Sequence, residues 1–454
     1  MAILREEENT ASSQNANEPH KRKISKLQYD YFHRPIEGTS DGDWQITNMV
    51  DHTTGLWYDP DPTGADWCDL LPQLLEHAYS SALANSTLTD HPLLLVERAY
   101  NPPPIRQQAL EILFEECQVP AAFLAKDAVL SCYACGRTTA TVVDIGYSGT
   151  TVAPVHEGFV ETVRRSPVGV REMDEMILKH LDQLKRRPVL PLYQVKQHKE
   201  RSPAFHQAAR LFLAQECREM GAGAAVNTTA GSFQAPQKPF DLPDGSTIEV
   251  PSAQRFAVSG LLFGKDSQEQ RDALVQKNKT EMQELMQSAT DLEENEDDER
   301  YTEAAAVGVS KRKSAKKAPP FSNRVLQKAC IPYMQTQLDR LSAAPLASMV
   351  CDTVYQCDRD QQAALLGNVI LGGGGSLLGP TEQAVPETLK EQMEALIHTH
   401  TPGWRVKMLA PSERGILSWL GGSILGSIGT FHDMWITKDE YEEWGTAIVN
   451  RKCP

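Results

Sequence analysis

Two stretches of the sequence combine residue types that can hold an anion. In "TVVDIGYSGTTVAPVHEGFV", residues 141–160, β-branched runs flank Asp144, Gly146, Tyr147 and several small hydroxyls at a tight reversal. In "LGNVILGGGGSLLGP" an apolar run enters Gly372 and Gly373. Glycines let backbone N–H groups approach a phosphate or an adenosine with no Cβ in the way. Neither stretch fits the P-loop or the dinucleotide fingerprint, and a glycine turn can also be only a turn. The chemistry in prospect is nucleotide binding, with hydrolysis an open question.

Other chemistry finds less support. Cys132 and Cys135, in "AVLSCYACGR", form a CxxC with no second CxxC or His pair at zinc spacing, and read as small buried hydrophobes. The nine cysteines lack regular spacing and suit a reducing compartment. A formal charge of −15 opposes docking on a nucleic-acid backbone, which needs a basic surface. No run reaches the roughly 18 apolar residues of a membrane span, and "MAILREEENTASSQ" has no apolar signal core. A cytosolic or nuclear protein is expected.

For the two turns to meet, strands and helices must alternate around them. "WCDLLPQLLEHAYSSAL" places Leu70, Leu71, Leu74, Leu75 and Ala78 at helical spacing, and "HPLLLVERA" suits a buried strand. "PPPIRQQALEILFEEC" puts Ile105, Ala109, Leu113 and Phe114 on one helix face, before a strand at "VPAAFLA". "REMDEMILKHLDQLKRRP" is an amphipathic helix on Met173, Met176, Ile177, Leu181 and Leu184 that ends at Pro188. Residues 239–263 read as a hairpin about a "PDG" turn. A strand leads into Gly372, and "TEQAVPETLKEQMEAL" reads as the helix that follows. This alternation predicts an α/β fold, and 454 residues suffice for two or three domains.

Two regions read as solvated. Residues 1–45 form a polar, flexible tail. Residues 264–325 change composition, with "DLEENEDDER" and "SKRKSAKKAPP" as blocks of like charge that bury little, so a charged insertion is expected, with a helix through "QRDALVQKNKTEMQELMQ" projecting from it. The basic block serves equally as a nuclear address or a solvated face, and the acidic block as a histone contact or a solubilising run. Order resumes near "LASMVCDTVYQC".

The C-terminal run "SERGILSWLGGSILGSIGTFHDMWITKDEYEEWGTAIVNRKCP", with "HPLLLVERAYNPPPIRQQALEILFEE", "AVLSCYACGRTTATVVDIGYSGTTVAPVHEGF", "LPDGSTIEVPSAQRF" and "GNVILGGGGSLLGP", closely resembles the actin family. The segments lie in family order from about residue 65 to 454. The ending "RKCP" and the phrase "PVHEGF" look more like its nuclear actin-related branch than conventional actin. The resemblance implies two lobes, each with a ribonuclease H-like core, around a nucleotide cleft: a small lobe of 46–143 plus 415–454 and a large lobe of 144–263 plus 326–414. It implies a nuclear subunit, with some cytoplasmic presence, of chromatin-remodelling and histone acetyltransferase complexes. The partners implied are a helicase-SANT-associated helix of the motor subunit, nuclear actin, and histones or the nucleosome through the complex. The alternatives are an ATPase that switches its lobes and a cytoskeletal filament protein.

Carried over by residue, the resemblance puts Asp144 and Gly146 in the family's second phosphate loop, with Gly158 ending the next strand. Gly372 and Gly373 match the adenosine-loop glycines, and Glu413 and Arg414 precede the adenine-side position, here Gly415 where actin has a lysine. The departures concern catalysis. Tyr147 replaces the acid that orients metal-bound water, and a phenol supplies no carboxylate charge to a hard cation. Asp127 replaces the glutamine that positions attacking water, adding negative charge beside a triphosphate. The N-terminal residues contain no "DxGS…GxAG" hairpin, which would leave an unpaired edge or a gap in one sheet. The expectation is ATP as a structural ligand at most, magnesium poorly supported, no metal site, and no efficient hydrolysis.

Overall fold

The computed structural model describes residues 2–5, 44–47, 50–57, 67–82, 87–197, 203–221, 237–290, 323–379, 381–401 and 403–454. Its larger sheet has six strands: β5 (Ala140–Ile145), β6 (Thr150–His156), β7 (Phe159–Val160), β8 (Arg164–Ser166), β11 (Val369–Gly372) and β12 (Met408–Leu409). They lie in the order β12–β11–β5–β6–β7, with β8 also paired to β6. β5 carries almost unbroken apolar sequence because both of its faces are covered, as parallel-paired central strands require. Since β5 begins at Ala140, the small-lobe boundary expected at residue 143 falls inside a strand of this sheet.

One face of the sheet is packed by α4 (Val170–Lys185), α6 (Pro203–Glu219), α7 (Ser252–Phe263), α10 (Leu346–Val354) and α12 (Ala384–His400), whose buried residues form one core with Val143 and Leu371. α11 (Arg359–Leu366) and the short α5 (Leu192–Gln197) complete this lobe. Met173, Ile177 and Leu181 of α4 are buried as their spacing predicts. The helix stops at Lys185, ahead of Pro188, because Arg186 takes a left-handed φ of 58°. The "PDG" hairpin forms as β9 (Lys238–Asp241) against β10 (Thr247–Val250). It ends there, and residues 252–263, read from sequence within the hairpin, are helical because Arg255, Val258, Ser259 and Leu262 line one buried stripe.

The smaller sheet contains β3 (Leu93–Glu97), β4 (Ala121–Lys126) and β13 (Ile436–Thr437), in the order β13–β4–β3. β3 and β4 are parallel, joined by α2 (Pro103–Glu111), which runs on into a π turn at Ile112–Glu116. Ile105, Ala109, Leu113 and Phe114 are all buried, as their face predicts. β3 is an edge strand among the described residues, and four of its five residues are half-buried rather than buried.

α1 (Trp67–Ala82) packs Leu70 and Leu71 inward, while Ala78 is exposed, so the predicted stripe ends early. α14 (Lys438–Trp444) and α15 (Ile448–Lys452) close the lobe. Between the two sheets, α3 (Asp127–Ala134) packs along α13 (Leu417–Gly426). Cys132 is buried there beside Val142 and Leu417, and both cysteines of the CxxC are free.

Two solvated expectations are corrected. Ala2–Arg5 is not tail but a strand, β1, antiparallel to β2 (Trp44–Thr47); residues 6–43 lie outside the described residues. Residues 268–290 do not project: α8 (Gln268–Thr290) pairs with α9 (Asn323–Asp339) across both lobes. At one end Arg271, 1% exposed, donates to the carbonyls of Gly264 (2.7 Å) and Ala343 (2.9 Å) beside the large-lobe core. At the other, Met282, Met286, Cys330 and Met334 join the small-sheet core with Ile105 and Leu124. Methionines spaced by four on a long helix supply an apolar stripe that average composition hides. The two charged blocks, within residues 291–322, lie outside the described residues.

Candidate functional site

The parallel register of β11 on β5 places Gly372 beside Asp144, so both glycine turns leave the carboxyl ends of neighbouring strands. That is where open α/β sheets place their ligands. Gly373 has φ +84°, and a Cβ there would lie 2.4 Å from the Ile145 carbonyl oxygen, so only glycine fits. The Asp144 turn is closed by Gly146 N–H donating to Gly149 O at 3.0 Å. α4 docks on it: the amides of Val170 and Arg171 donate to the carbonyls of Gly146 and Tyr147 at 3.0 and 3.1 Å. Gly169 permits this approach, because a Cβ there would meet Gly149 N at 2.4 Å.

Opposite, Arg98 and Asp127 directly follow β3 and β4. Asp127 Oδ1 accepts from the amides of Ala99 (2.9 Å) and Ala128 (2.8 Å), fixing the start of α3 to the end of β3. Arg98 Nη1 donates to Asp144 Oδ2 at 3.0 Å and Asp127 Oδ2 at 3.4 Å, so one guanidinium ties strand ends of both sheets. Burial lifts the Asp127 carboxyl to about 6; the Arg98 charge opposes that shift and Asp144 adds to it. Arg165, 4% exposed, donates to the carbonyls of Thr53 (2.6 Å) and Ser148 (2.9 Å) and so pins the 50–57 loop to the Asp144 turn.

These elements enclose a cleft of about 380 Å³. Asp144, Gly146, Gly373, Arg414 and Gly415 line it together with Asp127, and Gly372 sits at the strand end behind them. Glu413 is exposed, lies outside the lining, and accepts from the Ser412 hydroxyl at 2.8 Å. Arg414 lines the cleft but is not free to meet an anion. It is fully buried, and its guanidinium donates to Ser376 Oγ (3.1 Å), Pro411 O (3.2 Å) and the Glu382 carbonyl, holding the wall. Gly158, with φ +86°, turns β6 into β7 and is not among the cleft residues. Tyr147 is 43% exposed and meets His52 edge-on at 5.5 Å, so no carboxylate stands at its position. Sequence reading missed Arg98 and Trp57, which line the cleft, and Arg165, which braces the 50–57 loop against the Asp144 turn. A charged residue directly after a strand was the one available signal for Arg98.

The two halves of the cleft differ in what they fit. At Gly374 the wall is open, since a Cβ there would meet nothing within 4 Å. Magnesium does not fit the residues as they stand. A divalent ion needs free, converging oxygens, whereas Asp127 and Asp144 both face the Arg98 guanidinium. Among the described residues, no group of three or more His, Cys, Asp or Glu could hold a metal ion.

A two-lobed fold with its cleft at apposed strand ends defines the class. Residues 65–454 match the family described as Actin, and the chain belongs to the actin family. Within it, the chain is similar to proteins named Actin-related protein 4. It is 30% identical to that of Arabidopsis thaliana over 442 residues, covering 91% of this chain and 82% of the relative. It is 32% identical to that of Oryza sativa subsp. japonica, over 87% of this chain and 78% of the relative. To that of Schizosaccharomyces pombe it is 28% identical, over 85% and 82%. No helix among the described residues is long and apolar enough to cross a membrane.

Proposed function

We propose that this chain is a non-catalytic nuclear actin-related subunit of chromatin-remodelling complexes of the SWI/SNF or INO type, of NuA-type histone acetyltransferase complexes, or of both. In that role it binds a helix of the motor subunit and nuclear actin, and aids histone or nucleosome engagement in transcription regulation. Similarity to the proteins named Actin-related protein 4 supports the assignment.

The observation that carries the non-catalytic half is the commitment of Asp127. Oδ1 is engaged by two backbone amides, and Oδ2, the one oxygen not tied to the backbone, faces the Arg98 guanidinium at 3.4 Å, so the carboxylate is held against a fixed cation and not poised to orient an attacking water. The glycines of the Asp144 and Gly373 turns would hold a nucleotide, and the role of that nucleotide is structural. When bound, it supplies contacts to both walls of the cleft.

Affinity purification of the native protein tests the assignment. Recovery of a Snf-type motor or an acetyltransferase scaffold is expected, and recovery of cytoskeletal partners alone would overturn it. Phosphate release from ATP should stay at the buffer blank; turnover well above it would return the chain to the ATPases.

A further inference from the structure

Three of the four carboxylate oxygens at the base of the cleft already have partners. Asp127 Oδ1 accepts two backbone amides at 2.9 and 2.8 Å, and Asp127 Oδ2 and Asp144 Oδ2 face Arg98 Nη1 at 3.4 and 3.0 Å. The fourth, Asp144 Oδ1, lies against Gly373, 2.7 Å from where a Cβ would stand. We propose that Arg98 is a built-in cation that occupies the place between Asp127 and Asp144, so that the cleft is closed to divalent metal and any anionic ligand enters without one.

First, hard divalent ions require six or more oxygens at about 2.0–2.6 Å, and bind by gathering carboxylates that are otherwise uncompensated. Here the compensation is internal. Second, a dication entering beside the aspartates would meet a fixed positive charge about as close as the carboxylates themselves, so repulsion cancels about half of the attraction it would gain from the two acids. Third, Arg98 is tethered: it directly follows β3, whose Glu97 is held by Arg106 at 2.7 Å, and Ala99 is bonded to Asp127. Swinging the guanidinium aside would leave two partly buried carboxylates facing each other without a counter-charge. The metal-free statement stands on this geometry, and only the identity of the ligand as a nucleotide rests on the proposed function.

Terbium luminescence sensitised by Trp57, which lines the same cleft, provides the test. Because the acidic block 291–300 will bind terbium in any variant, the readout is the part of the emission that D144N removes. Wild type and D144N should give the same titration. R98Q should gain a saturable site at least about tenfold tighter than any in wild type, and R98Q/D144N should lose it again. Wild-type emission that saturates and disappears in D144N would overturn the proposal, as would an R98Q protein with intact circular dichroism that gains no site. Should R98Q not fold, the wild-type and D144N comparison decides alone. A second arm titrates a fluorescent ATP analogue. Equal binding in EDTA and in magnesium supports the proposal, and binding that requires magnesium overturns it. No binding in either buffer ends the nucleotide reading, and the terbium arm still decides whether Arg98 excludes the cation.

Discussion

Asp144 and Gly372 are register partners on adjacent parallel strands, and the two glycine turns that follow them therefore open toward the same cleft. The contact is close enough that the residue after Gly372 has no room for a side chain. Ala at Gly373 would place a methyl group 2.4 Å from a backbone oxygen at a left-handed φ, whereas Ala at Gly374 meets nothing within 4 Å. G373A should lower stability by about 1–3 kcal/mol in denaturant titrations, and G374A should leave the midpoint nearly unchanged.

Two half-buried groups near the cleft titrate in opposite senses. Burial, aided by the Arg171 charge, lowers His52 to about 4 from its ordinary 6.5. In the window between those values the unfolded chain binds the proton first, so this group makes stability fall as pH falls. Burial raises Asp127 from 3.8 to about 6. There the native state holds the proton longer, so this group makes stability fall as pH rises from about 4 to about 6. The two slopes oppose each other over most of that range. Thermal melts from pH 4 to 7 should show D127N becoming steadily more stable with rising pH, and H52Q becoming less stable, each relative to wild type.

Glu97 is fully buried at its side chain and paired with Arg106, which also donates to the backbone oxygen of Cys453. R106M would leave a buried carboxylate unpaired and release the C-terminal helix α15. A loss of about 3–5 kcal/mol is expected, together with faster amide exchange at residues 448–453.

α8 is rooted in one lobe by Arg271 and in the other by Met282, which is fully buried. M282A should cost about 2–5 kcal/mol through the cavity it leaves in the small-sheet core. R271M would leave the carbonyls of Gly264 and Ala343 without their donor, at about 1–3 kcal/mol each. Limited proteolysis should cut both variants within α8 faster than wild type. Equal cleavage rates would mean that the helix does not hold the lobes together.

Much of the fold was legible in the chain itself. Helix faces such as Ile105–Ala109–Leu113 and Met173–Ile177–Leu181 repeat with the helical period, the "PDG" turn marks its hairpin, and glycines mark the strand ends at Asp144 and Gly372. These signals are local: each depends on the periodicity or conformational range of neighbouring residues, which the sequence states directly. Tertiary structure decided what no local signal carries. The Arg414 and Glu413 side chains are neighbours in sequence, yet one is buried in the wall and the other exposed, because only packing fixes which way a charge turns. α8 has the composition of a solvated helix and is an amphipathic strap with one buried stripe, since its few apolar residues meet a core supplied by distant strands. Arg98, Asp127 and Asp144 come from three separate strand ends. Their electrostatic coupling falls off with distance through space, not along the chain, so only the folded sheets could bring one cation between two acids.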